Sequence, residues 1–136
     1  MAKWIPAEVW SEFSEGSHFA IFNEYKDHKR ETIQKAILAL NPKDDPVGYV
    51  TTIEMDAGTI YWQYGGIFND FRNRDFGEAV VNTGLNLCRQ QYDRVTFRVE
   101  NTNAAMIKTA LKCGFLIDGV RIFNQKTYLE HTLEFK

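Results

Sequence analysis

Ile60-Tyr-Trp-Gln-Tyr-Gly-Gly-Ile-Phe68, then Asn69-Asp-Phe-Arg-Asn-Arg-Asp-Phe-Gly77, then Glu78-Ala-Val-Val81 is the stretch on which the fold turns. The first piece is aromatic and apolar, as strands are. The second is short and polar and carries Arg72 and Arg74. The third opens a run in which Val80, Val81, Gly84, Leu85 and Cys88 recur on one helical face. The unit is therefore strand, tight turn, helix. A turn that opens a helix presents unpaired backbone N–H groups and the positive end of the helix dipole, so it is a candidate anion site. The two guanidinium groups add full charges beside it. Inside the strand, the pair Gly65-Gly66 marks a bulge or a place where something approaches the backbone closely.

Upstream, Val47 to Met55 reads as a strand, and Asp56-Ala57-Gly58 turns it into the Ile60 strand as a hairpin. Residues 29–40 carry Ile33, Ala36, Ile37 and Leu40 at helical spacing, with Asn41-Pro42 as the stop. A strand is expected over 18–25, and Pro6 is placed at the first turn of a short helix bearing Val9, Trp10 and Phe13. Trp4, Trp10, Phe13 and Trp62 are read as core residues before an acceptor wall or a dimer patch.

Downstream, Val95, Phe97 and Val99 alternate with Thr96, Arg98 and Glu100, a half-buried strand. Asn103 is expected to cap a helix with Met106, Ile107, Ala110 and Leu111 inward, and Gly114 to close it. A strand over 115–123 turns into a last one, in which Leu129, His131, Leu133 and Phe135 keep a period of two. His131 then falls on the apolar face, which makes it a core histidine. The alternation of helix and strand in the middle implies at least one parallel crossover, and the hairpins imply antiparallel pairing. The sum is an α/β (α+β) domain, a mixed and mostly antiparallel sheet flanked by helices.

Length and charge bound the rest. A chain of 136 residues is one domain able to bury a core. A net charge of −2 lacks the basic footprint of a general nucleic-acid binder. Cys88 and Cys113 stand apart from any zinc-type spacing and read as reduced, packed thiols, which with the absence of a transmembrane run or signal segment implies a cytoplasmic protein and no membrane partner. The closing strand, ending Leu133-Glu-Phe135, is expected to be exposed and able to pair with a copy of itself, giving a homodimer.

Two stretches together, Phe71-Arg-Asn-Arg-Asp-Phe-Gly77 and Asn103…Lys112-Cys-Gly-Phe115, resemble the GNAT-type N-acetyltransferase superfamily over about residues 47–136. The family's phosphate loop fits in two registers, from Arg72 to Gly77 and from Arg74 to Ala79. The first keeps the preceding aromatic, Phe71, and places Asp75 where the first glycine belongs. The resemblance implies a single domain, with residues 1–46 on the acceptor side and 47–136 binding the coenzyme. It implies a central parallel strand pair that splays apart, with acetyl-coenzyme A in the cleft between the two strands. The pyrophosphate would lie on Arg72, Asn73, Arg74, Asp75, Phe76 and Gly77, and the pantetheine arm along Ile67, Phe68 and Asn69. Asn103 and Lys112 lie on the helix that flanks the coenzyme in the family. The reaction implied is acetyl transfer to a primary amine by direct attack on the thioester. Glu54 and Tyr128 are the candidates for acid–base roles, because the tyrosine usual on the second helix is here Ala110. The alternative is a GNAT-like module that has lost catalysis and binds coenzyme A or a protein.

Overall fold

The computed structural model describes residues 1–6, 35–71 and 77–135, with the side chains of Pro6, Tyr64 and Asn69 excepted. Among the described residues seven strands form one sheet: β1 (Ala2–Pro6), β2 (Lys35–Leu40), β3 (Pro46–Asp56), β4 (Thr59–Ile67), β5 (Arg94–Glu100), β6 (Leu116–Phe123) and β7 (Lys126–Glu134). Their order across the sheet is β1-β2-β3-β4-β5-β7-β6. Every pairing is antiparallel except that of β4 with β5. Helix α1 (Gly77–Cys88) makes the crossover between these two, and α2 (Ala104–Lys112) connects β5 to β6. The mixed, mostly antiparallel sheet with a central parallel pair is the architecture expected from the sequence.

Both helices share one core with the sheet. Val81, Leu85 and Cys88 of α1 and Ala110 of α2 pack with Ile37, Val50, Ile60, Trp62, Val95 and Phe97. Gly84 lets α1 sit low on the sheet, since a Cβ there would lie 3.3 Å from the Trp62 ring. Phe97 joins an aromatic stack, edge-on to Phe115 at 4.7 Å and face-on to His131 at 5.0 Å. His131 is fully buried and its Nδ1 lies 3.0 Å from the Leu129 carbonyl oxygen, so it is a core residue, as the two-residue period implied. Among the described residues no helix is long and apolar enough to cross a membrane.

Several expectations need correction. Residues 35–40 are strand β2 and not the end of a helix. Ala36, Ile37, Leu38 and Ala39 are all buried, so the segment is covered on both faces and has no true period. Asn41 does not stop a helix. Its Oδ1 accepts from the backbone N–H groups of Lys43 and Asp45, both at 2.9 Å, and so closes the β2–β3 hairpin. Pro6 ends edge strand β1, a place where a missing N–H is tolerated. The helix expected after it and the strand over 18–25 lie outside the described residues, as do Trp10 and Phe13. Leu111 is exposed, because Ala110 alone turns α2 fully into the core. Finally, β7 runs between β5 and β6, so the closing strand is internal and the free edge on that side is β6.

Candidate active site

The site begins where β4 and β5 part. Their parallel ladder joins Thr59 through Trp62 to Arg94 through Phe97 and then stops. On the other side of β4, the pairing with β3 steps from Thr51↔Tyr64 to Thr52↔Trp62, so Gln63 is an extra residue. A β-bulge bends the strand that carries it and increases its local twist. The bulge therefore lies at the fork, and it is Gln63 and not the glycine pair. Gly65 and Gly66 stay in register, opposite Val50 and Tyr49. Their role is close approach: a Cβ on Gly66 would lie 3.1 Å from the Tyr49 ring, and one on Gly65 3.2 Å from the Tyr49 carbonyl oxygen.

Beyond the fork opens a cleft of about 310 Å³. Trp62 and Phe97, stacked with centroids 6.2 Å apart, form its floor. Gln63 and Gly65–Ile67 make one wall and Arg98–Glu100 the other. The helical side consists of Gly77, Val80 and Val81 from α1 with Asn103 and Met106 from α2. Gly77 is the first residue of α1 and Asn103 is the N-cap of α2. The starts of both helices therefore point their free N–H groups and positive dipole ends toward one cleft. Asn103 Oδ1 accepts from the Met106 N–H at 3.1 Å, as its place in the sequence implied.

Of the residues expected from the sequence, Ile67, Gly77 and Asn103 come together on the cleft. Phe68 is buried and packs on the Tyr49 ring, 5.5 Å between centroids, so its side chain belongs to the core. Asn69 begins a single 3-10 turn, Asn69–Phe71. Arg72, Asn73, Arg74, Asp75 and Phe76 lie outside the described residues. Lys112 is exposed at the last position of α2, about 13 Å along the helix from Asn103 at 1.5 Å per residue.

Glu54 sits opposite Ile60, on the far side of Trp62 from the cleft, and accepts a 2.8 Å hydrogen bond from the Tyr92 hydroxyl. Burial and then that bond push the Tyr92 phenol above its ordinary value. Tyr128 is half-buried on β7, in register with Glu100 of the cleft wall, but does not line the cleft. Three polar residues that do line it, Gln63, Arg98 and Glu100, are not marked as site residues by the sequence. A glutamine amid Tyr61, Trp62 and Tyr64 is the one available signal for the first. Cys88 is not at the cleft. It is fully buried in the core, which pushes its thiol up to about 12.

The architecture recurs among solved structures. A mutant form of the spermidine/spermine N-acetyltransferase SpeG from Vibrio cholerae superposes with a TM-score of 0.71 at 11% identity, covering 98% of this chain and 93% of that one. A GNAT family acetyltransferase from Elizabethkingia anophelis with acetyl-CoA bound superposes at 0.67 and 16% identity, covering 82% of each chain. No curated protein matches the chain in sequence. A sequence model of the Acetyltransferase (GNAT) family matches residues 3–115, and the chain belongs to that family. The match begins well before residue 47, so the N-terminal third carries family signal that its residues alone did not disclose.

Proposed function

We propose that the protein is an acetyl-coenzyme A-dependent N-acetyltransferase acting on a primary amine. The observation that carries this reading is the fork: two parallel strands part at Trp62 and Phe97, and two helix N-termini meet over the gap. The cleft residues suit the coenzyme. An apolar floor and a volume of about 310 Å³ accept a narrow pantetheine arm. The stretch from Gln63 to Ile67, which has left the β5 ladder, offers extended backbone beside it. The start of α1 at Gly77, together with the preceding Arg72–Phe76, would hold the pyrophosphate.

The chemistry then follows from the geometry. The thioester supplies an activated acetyl group. The amine nitrogen attacks its carbonyl carbon, a C–N bond forms, the C–S bond breaks, and the thiolate leaves and takes up a proton. Holding both reactants in one cleft removes most of the entropic cost of their meeting. A backbone N–H of β4 aimed at the carbonyl oxygen would stabilise the charge that develops there. A lysine-like amine must first lose a proton, which costs roughly 4 kcal/mol near neutral pH for a pKa of ~10.4. Glu100 lines the cleft and is the carboxylate we assign to accept that proton, ahead of Glu54 beyond the fork. Tyr128, one strand away from Glu100, is outside the cleft lining and is the phenol we assign to protonate the departing thiolate.

Residues 1–46 would shape the acceptor side, and the two free cysteines accord with a cytoplasmic protein. A second reading rests on Ala110, which is fully buried where the family's tyrosine would offer its proton. In that reading the domain binds the coenzyme without turning it over.

Isothermal titration with acetyl-coenzyme A tests the proposal, with the double substitution Arg72→Ala/Arg74→Ala as control. Micromolar binding that the double variant loses supports the coenzyme site, and an amine screen then separates enzyme from module. Absence of heat at millimolar ligand overturns the acetyltransferase reading.

A further inference from the structure

Edge strand β6 is unusually apolar for a free edge. Leu116, Ile117, Val120, Ile122 and Phe123 are each 43% to 77% exposed, on a strand of eight residues. Soluble proteins ordinarily blunt such an edge with lysines, proline or a covering element, because its unpaired backbone recruits another strand. Among the described residues the blunting consists of exposed Arg121 and of Asp118, the extra residue where the register with β7 shifts between Ile117 and Gly119.

We infer that β6 pairs antiparallel with β6 of a second copy of this chain, about a two-fold axis at Val120. The reasoning is one of register. Ile117, Val120 and Ile122 stand opposite His131, Leu129 and Thr127 of β7, on the face that carries the core. Leu116 and Phe123 stand opposite Thr132 and Lys126, on the other face. Residues directly opposite in an antiparallel pair share a face. With Val120 opposite itself and Asp118 bulged on both strands, Ile122 meets Ile117 and Phe123 meets Leu116. Every large apolar side chain of the strand then finds an apolar partner on its own face. Arg121 falls opposite Gly119, so no like charges oppose each other, and its guanidinium keeps its 2.9 Å ion pair with Glu130.

This self-complementarity is the mark of an isologous two-fold interface. The same pattern would not be expected of an edge meant for an unrelated strand. The area is sufficient. Five such side chains at these exposures present on the order of 500 Å² per chain, so up to about 1,000 Å² is available to the pair, the lower bound for a specific interface. The two seven-stranded sheets would join into one, which removes the free edge.

The test is sedimentation velocity at micromolar chain concentration. The native chain sediments as a dimer, and Val120→Lys/Ile122→Lys halves the mass while leaving the circular dichroism spectrum unchanged. Register is read separately in a Cys113→Ser background. Val120→Cys cross-links to its copy on mild oxidation, whereas Thr127→Cys, on the strand behind, does not. A monomeric native chain overturns the inference. So does a dimer that survives the lysine pair or fails to cross-link through Val120.

Discussion

Asn103 has two jobs that a pair of substitutions can separate. Its side chain caps α2 through the 3.1 Å bond from the Met106 N–H, and it lines the cleft. Helix α2 is only nine residues long and buries only Ala110 completely, so its first turn depends on the cap more than a longer helix would. Asn103 is exposed, so Asn103→Ala leaves no cavity and the cost is the cap alone, about 1 kcal/mol. For a chain of 136 residues that is a fall in Tm of roughly 3–5 °C. Asn103→Asp keeps the acceptor oxygen and favours the helix dipole, so its Tm should match or exceed the native value.

The same Asp places a negative charge on the cleft that Gly77 also lines, where we assign the coenzyme's pyrophosphate. At ~8 Å and an effective dielectric constant of ~40, the repulsion is about 1 kcal/mol, or roughly fivefold in Kd at low salt. Differential scanning calorimetry and titration with acetyl-coenzyme A, run on both variants, read the two effects apart. If Asn103→Asp destabilises as much as Asn103→Ala, the cap is misassigned. If it binds the coenzyme as tightly as the native chain at low salt, the α2 N-terminus does not face the phosphates.

Further outcomes follow from packing and titration. Gly48→Ala should destabilise by about 1–3 kcal/mol in urea melts, since its Cβ would lie 2.8 Å from the Gly66 carbonyl oxygen and 3.0 Å from a Val80 methyl. Gly77→Ala, whose Cβ meets nothing nearer than 4.0 Å among the described residues, should be neutral within ~0.5 kcal/mol. The Cys88 thiol ordinarily ionises near 9 but is held up to about 12 in the fold, chiefly by burial. The folded chain therefore keeps that proton longer than the unfolded one. The stability it contributes is whole below pH 9 and is lost toward pH 12, at up to about 1.4 kcal/mol per pH unit. Tm measured across that window should fall, and Cys88→Ala should flatten the slope. At pH 8 a thiol reagent should reach half-exposed Cys113 in the folded protein and Cys88 only on denaturation.

The elements most plainly legible in the sequence include those that bury one face only. In β5 and β7, alternate residues face the core, and the period of two stands out. The β3–β4 turn carries its own chemistry, and the Gly58 N–H donates to Asp56 Oδ1 at 2.9 Å. Gly114, at φ +98°, closes α2 as a glycine should. Lys35–Leu40 defeats the same reasoning because it is covered on both faces, and a run of apolar residues fits a helical stripe as easily as a buried strand. Sheet order is illegible for a different reason. Nothing local to Lys126–Glu134 says that it inserts between β5 and β6. At the cleft, Asn103 and Gly77 announce themselves through helix-start chemistry, whereas Gln63 and Glu100 matter only because β4 and β5 diverge, which is a property of the pair and not of either strand.

The extra residue at Gln63 has a consequence for which changes this fold can absorb. Upstream of it, Ile60 and Trp62 turn toward the helices; downstream, Gly65 and Ile67 do, so even-numbered positions hand over to odd-numbered ones. The cleft is thus written in the parity of the chain. Many side chains could stand at position 63 without altering that count. A chain shorter by that one residue would keep Trp62, Gly65 and Ile67 on the faces they now occupy, because a regular strand alternates without a surplus. It would lose only the bend, and β4 could then run on beside β5 past the present fork. The shortened protein would be the more orderly sheet and would have nowhere to put a ligand.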